Sequence, residues 1–135
     1  MVSLNNPRNA TLKSGVTITQ AGICLVNDST DNKLKKTTAT SIAVGVSADE
    51  SERDASGLVS GGTVSYYPVG GVLMVASKSS QTFTTGATVY IDADGFAHAT
   101  ASTRKKLGLY VGEGVTTGSS DGDLIPVNTS GAAIA

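Results

Sequence analysis

Short runs in which apolar and polar residues alternate, rich in Val, Ile, Thr and Tyr and broken by Gly, Asn, Asp and Ser, recur along the whole chain. A period of two with β-branched residues marks half-buried strands, so the sequence reads as mainly β. Val16 and Ile18 share one face of a run whose other face is Thr17 and Thr19, and Ile23-Cys24-Leu25-Val26 follows the breaker Gly22. Residues 27–32 are Asn, Asp, Ser and Thr, whose side chains bond their own backbone in turns. Lys33-Leu34-Lys35 is then the returning strand of a hairpin. Ile42, Val44 and Val46 define a further strand that stops at Ser47-Ala48-Asp49-Glu50, a tetrapeptide with capping-box spacing. Residues 49–56 offer no apolar stripe, so the segment is either a turn or two of helix reaching Gly57 or a polar loop.

Thr63-Val64-Ser65-Tyr66-Tyr67-Pro68-Val69 is extended, and Pro68, lacking a ladder donor, belongs at a sheet edge or strand end. Val72-Leu73-Met74-Val75 is apolar at every position and predicts a central strand covered on both sides. A polar stretch around Phe83 leads to the strand Ala87-Thr88-Val89-Tyr90-Ile91, a tight turn at Asp92-Ala93-Asp94-Gly95 and a return at Phe96-Ala97-His98. Leu107, Leu109 and Val111 point inward from a later strand, and Leu124-Ile125-Pro126-Val127 ends the fold. The expected architecture is a small β-sandwich or β-tulip/barrel with at most one short helix. It comprises a single β domain over 15–135 preceded by an extended N-terminal arm over 1–14. The arm is polar, Pro7 bars regular helix, and no core-facing period runs through it.

An internal echo is visible. An Asp-rich turn, a short return strand, a Thr/Ser/Ala-rich link, basic residues and an apolar strand with Gly run from Asp28 through Lys35-Lys36 to Ile42-Ala43-Val44-Gly45-Val46. The same order runs from Asp92 through Arg104-Lys105-Lys106 to Leu107-Gly108-Leu109-Tyr110-Val111-Gly112. Either two related β units pack together, or two hairpins happen to be joined by Thr-rich links.

With 135 residues the chain can bury one core. Its longest apolar run, Val72 to Ala76, is far short of the roughly 20 residues that cross a bilayer, and the N-terminus has no apolar signal core. No membrane partner or Sec-type export is expected. Ten Lys plus Arg against eleven Asp plus Glu leave a net charge of −1, which supplies no field for a polyanion, so no nucleic-acid partner is expected either. Cys24 is the only cysteine, which forbids an intrachain disulfide and a Cys-based zinc cage. Its apolar neighbours make it a small buried hydrophobe, in keeping with synthesis in a reducing cytoplasm.

Candidate chemistry is sparse. His98 is the only histidine and no Gly-x-Ser-x-Gly elbow accompanies it. Asp92-Ala93-Asp94-Gly95 starts like a calcium loop, but Thr103 stands where the bidentate Glu belongs, so it and Asp121-Gly122-Asp123 read as plain turns. Gly112-Glu113-Gly114 lacks the third glycine of a dinucleotide loop, because residue 117 is Thr. The clusters Lys33-Leu34-Lys35-Lys36 and Arg104-Lys105-Lys106 read either as docking patches for an acidic surface or, the favoured reading, as solvated strand edges that discourage sheet-to-sheet aggregation. No metal, cofactor or enzymatic activity is expected. Tyr66-Tyr67-Pro68 is the one place with adjacent aromatics, either an exposed interface anchor or rings covering the ends of the sheet.

The strands at Ile42-Ala43-Val44-Gly45-Val46, Gly70-Gly71-Val72-Leu73-Met74-Val75, Thr85-Gly86-Ala87-Thr88-Val89-Tyr90-Ile91-Asp92 and Leu107-Gly108-Leu109-Tyr110-Val111-Gly112 resemble, in order and punctuation, a family of small capsid decoration (cement) proteins of tailed bacteriophages. The likeness covers roughly residues 15 to 127. It departs at Ile91, where an aromatic often stands, and in the polar insert around Asp49 to Asp54. The resemblance implies a β-sandwich or β-tulip on the outer surface of the virion capsid, often a homotrimer, that binds the major capsid protein and clamps neighbouring capsomers. On that picture Asn5, Asn6, Pro7, Arg8, Asn9 and Thr11 form a capsid-binding arm that adds a strand to a capsid-protein edge, or else simply fray. The competing expectation is a head-fibre or tail-fibre module binding a glycan or receptor through Tyr66 or Tyr67.

Overall fold

A computed structural model describes residues 6–132. Its first half carries β1 (Arg8–Thr11), β2 (Cys24–Asn27), β3 (Leu34–Lys36), β4 (Gly45–Ser47), β5 (Arg53–Asp54), β6 (Gly57–Leu58) and β7 (Thr63–Pro68). The second half carries β8 (Val72–Ala76), β9 (Thr82–Phe83), β10 (Thr88–Ile91), β11 (Ala97–His98), β12 (Lys106–Tyr110), β13 (Val115–Thr116) and β14 (Leu124–Asn128). Among the described residues the only helical pieces are 3₁₀ turns at Ala93–Gly95 and Thr129–Gly131. The mainly β class predicted from alternation is the one observed.

Two antiparallel five-stranded sheets form the body, in the orders β1-β7-β4-β2-β3 and β11-β10-β12-β14-β8. The order is one and the same. Numbering the five ladder strands of each half along the chain, both sheets run third, second, fourth, fifth, first. The register repeats as well: Arg8 opposite Tyr66 through Thr11 opposite Thr63 matches Leu73 opposite Val127 through Ala76 opposite Leu124. Cys24–Val46 and Leu25–Gly45 match Thr88–Leu109 and Val89–Gly108. In each sheet the two outer strands touch through one parallel bridge, Leu12 to Leu34 and Ser77 to Ala97. The echo seen in the sequence is therefore the middle of a complete structural repeat, an N-terminal unit followed by a C-terminal one.

Each unit has its own apolar interior. Leu12, Ile18, Ile23, Leu25, Leu34 and Val64 fill the first, while Leu73, Val75, Val89, Ile91, Leu107, Tyr110, Ile125 and Val127 fill the second. The units meet along the outer edge of β8. There the Ala76 N–H donates to the Gly22 carbonyl at 2.8 Å, Thr37 Oγ1 donates to the Asp92 carbonyl at 3.1 Å, and Gln20 Nε2 donates to the Gly122 carbonyl at 3.1 Å. Gly95, at φ +81°, packs against Ile23 and the Cys24 backbone, so closely that a methyl group there would collide with both. Cys24, Ala43 and Val46 of the N-terminal unit are buried in the cluster that belongs to the C-terminal one.

Five local expectations differ from what forms. Residues 15–19 enter no ladder: Gly15 turns at φ +88°, and Ile18, though fully buried, exchanges hydrogen bonds with Ser51 instead of a strand. The capping-box segment makes no helix, because the Ser47 hydroxyl is committed elsewhere, accepting from Ile23 N–H and donating to the Gln20 carbonyl at 2.9 Å. Its continuation is the small β5–β6 ribbon. β8 is an outer strand with Val72 and Met74 on its open face, not a central strand covered on both sides. In β12 the register slips between Val89 and Tyr90, leaving Leu107 as an extra residue, so Leu107 points inward but Leu109 and Val111 point out. Finally, the N-terminal boundary drawn after residue 14 does not separate an arm from the body. Arg8–Thr11 is extended, as expected, but its partner is β7 of the same chain, and Leu12 is wholly inside the first core.

Candidate functional site

The outer face of the second sheet is the place where this chain departs from the economy of a small soluble domain. Val72 (48% exposed), Met74 (49%), Leu109 (39%), Val111 (44%) and Leu124 (46%) all lie there. Ladder register sets them in rows: Leu109, Asn128 and Val72 face one another across three strands, and Pro126 stands opposite Met74. Val111 joins the second row through its N–H to the Pro126 carbonyl at 3.1 Å. Burying one such side chain is worth about 2 kcal/mol, so leaving five half-exposed on neighbouring strands forgoes what the core elsewhere collects.

Two grooves flank this face. One, of about 410 Å³, runs along the outer edge of β8 between Val72, Met74 and the Ala48 and Tyr67 side of the N-terminal unit. The other, of about 430 Å³, lies between the 112–115 loop and Leu124 and Pro126. Tyr110 anchors that loop by donating its hydroxyl proton to the Glu113 carbonyl.

The N-terminal unit builds the same surface from different residues. Val46 and Tyr67 occupy the places of Leu109 and Asn128, and Asn9, Ser65 and Thr63 those of Met74, Pro126 and Leu124. Val46 is fully buried under the C-terminal unit, while β1, two strands away, is polar and open. The fold itself therefore does not demand an apolar outer face.

Several charged residues are engaged in structure. Asp28 accepts from Lys13 Nζ at 2.7 Å and Lys35 Nζ at 3.0 Å, which hold its carboxyl well below the ordinary range. The repeat places Asp92 at the equivalent corner, 3.1 Å from Arg104 Nε. Burial pushes the Asp92 carboxyl up, but the Ala93 N–H and Arg104 outweigh it and the group titrates below its usual value. His98 Nδ1 accepts the Thr100 N–H at 3.0 Å, and burial followed by the Arg104 charge lowers its pKa. Asp121 accepts the Ser79 N–H at 2.9 Å and Lys78 Nζ at 3.4 Å, and Asp123 accepts the Gly118 N–H at 2.8 Å, so both carboxylates of that turn are engaged. Cys24 is buried in apolar surroundings, which push its thiol up to about 12.

Of the residues singled out from sequence, Asn5 lies outside the described residues. Asn6, Pro7, Arg8, Asn9 and Thr11 are exposed along the first sheet's outer strand, where the Ser65 hydroxyl donates to Asn9 Oδ1 at 2.7 Å. Tyr66 packs on the first core and Tyr67 on the second, both partly buried, and Pro68 stands opposite Gly45 at the end of β7. The Tyr pair therefore lies on the strand next to the N-terminal one, with Tyr66 opposite Arg8. Alternation puts Leu109 and Val111 in phase with Leu107, and the bulge that breaks the phase and turns them onto the apolar face has no signal in a run of apolar residues.

No family model matches the chain, and no curated protein matches it in sequence. Among solved structures its fold is similar to the N base of head fiber gp8.5 in bacteriophage phi29, with a TM-score of 0.63. Identity is 17%, over 96% of this chain and 99% of that one, so the likeness is one of fold, spanning both units.

Proposed function

We propose that this chain is a structural protein of a tailed-bacteriophage head, seated on the outer surface of the assembled capsid, where it acts as a decoration protein holding neighbouring capsomers together. The observation that carries the reading is the whole-chain fold likeness to a head-fiber base. The sequence resemblance to decoration proteins points the same way. Its partners are the major capsid protein and further copies of itself, in a homotrimer. Its work is adhesion without catalysis, cofactor or nucleic acid.

A ligand that binds only the assembled lattice stabilises it by RT ln(1 + [L]/Kd), about 2.7 kcal/mol per site at a hundredfold excess over Kd. Bridging two capsomers from one oligomer raises the effective concentration of the second contact, so weak single contacts suffice. A second reading follows from the same fold likeness, namely that the chain is the seat of a fibre and leaves capsid strength unchanged. Heads lacking the protein separate the two. If added protein binds them and raises their heat resistance, the decoration role stands; binding without added heat resistance favours the fibre seat. Failure to bind heads at all removes both.

A further inference from the structure

The junction between the two units contains the template for a contact between chains. Within the chain, the N-terminal unit offers the Gly22 carbonyl and the apolar residues Cys24, Val46 and Tyr67, and the outer edge of β8 covers them through the Ala76 N–H. By the repeat, the C-terminal unit carries the same backbone a second time, with Thr88, Leu109 and Asn128 at the places of Cys24, Val46 and Tyr67. Its Gly86 stands where Gly22 stands: each donates its N–H, Gly22 to the Ser47 carbonyl and Gly86 to the Tyr110 carbonyl, both at 2.8 Å. Leu109 stands for Val46, and this second copy of the surface is uncovered.

The covering element also exists twice. The counterpart of β8 is β1, whose residues Thr11 and Asn9 take the places of Ala76 and Met74. Because the Leu12 N–H donates to the Gly62 carbonyl, alternate residues of this strand face β7, and the N–H groups of Asn9 and Thr11 face the open edge. Within one chain β1 is already fixed at the far side of its own sheet, so the strand that reaches the Leu109 face must come from another copy.

We infer that the apolar face around Leu109 and Val111 receives the β1 edge of a second copy of this chain, head to tail, with the Thr11 N–H donating to the Gly86 carbonyl. The contact is heterologous, and repetition around an axis closes a ring in which intrachain and interchain junctions alternate. It does not depend on attachment to a capsid, and the test uses the purified chain alone.

Light scattering of the intact chain is expected to give one discrete multiple of the monomer mass. Leu109→Asp spoils the receiving face and Thr11→Pro spoils the donating edge; both positions are exposed, and Thr11 gives no ladder hydrogen bond to β7 through its N–H. Each variant alone is expected at the monomer mass. Mixed in equal amounts they are expected to pair as dimers and no further, since each keeps the half that the other has lost, and such pairing also shows both to be folded. Thr63→Asp replaces Thr11→Pro should the latter not fold, because Thr63 occupies the place of Leu124, whose side chain lies against Gly22. A monomeric intact chain, unchanged mass in either variant, or a mixture of folded variants that stays monomeric would each overturn the inference.

Discussion

The N-terminal and C-terminal units share a strand order, a ladder register and the parallel bridge that ties their outer strands, yet they dress this backbone differently. At the bridge the first unit uses Leu12, completely buried, where the second uses Ser77, whose hydroxyl donates to the Asp123 carbonyl at 2.8 Å. On the outer strand the first presents Asn9 and Thr11 and the second Met74 and Ala76. A common backbone with divergent surfaces separates what the fold requires from what a partner requires. Shared features such as the glycine facing the fourth ladder strand's neighbour, Gly45 and Gly108, belong to the fold: a methyl group on Gly108 would collide with the Asn128 carbonyl. Features held by one unit alone, above all the open apolar face, belong to an interaction.

Substitution at equivalent positions tests that division. Leu12→Ala should cost about 3 kcal/mol in denaturant unfolding, the transfer and cavity terms of a fully buried Leu. Ser77→Ala, at the matching place, should cost only about 1 kcal/mol for its hydrogen bond. Equal losses would mean that the different side chains at the two bridges make no difference to stability. Gly95→Ala strikes the junction itself, combining a strained φ with the collision against Ile23 and Cys24, and should cost about 2 kcal/mol. Because that loss falls between the units, unfolding should broaden as they lose their coupling.

The acidic corners allow a finer comparison. Asp28, held low by Lys13 and then Lys35, adds stability that is fully present above the ordinary Asp pKa of about 4 and is lost as pH falls below it. Asp28→Asn should therefore lower the melting temperature at neutral pH, and the gap from the unaltered protein should shrink on acidification. A gap that stays constant with pH would mean that the Lys13 and Lys35 pairs contribute nothing. The smallest effect is expected from Met74→Ser, within about 0.5 kcal/mol, since an exposed side chain on the open face serves no fold contact. A larger loss would make that face part of the core after all.

Much of the first-order architecture was legible. The hairpins around Asp28 and Asp92 announce themselves through side chains that bond their own turns, and both form where alternation places them. Cys24 is buried as its neighbours imply. What escaped is whatever depends on partners distant in sequence. A run of apolar residues such as Val72 to Val75 says nothing about whether a second strand covers it, so its sequence does not distinguish an outer strand from an inner one. The Arg8–Thr11 strand is polar because it lies at an edge, and polarity alone cannot distinguish an edge of this sheet from an edge borrowed elsewhere. The repeat was glimpsed only in its turns and links, where residue chemistry is constrained, and not in its ladders, where Ala10 and Val75 or Val64 and Ile125 do equal service.

The position of Cys24 gives the molecule a built-in reporter. Its thiol sits between the two units, shielded from solvent and almost entirely protonated at neutral pH, so an alkylating reagent can reach it only when they part. The rate of labelling is therefore a clock for separation of the halves, readable on any population of the protein without a probe being introduced.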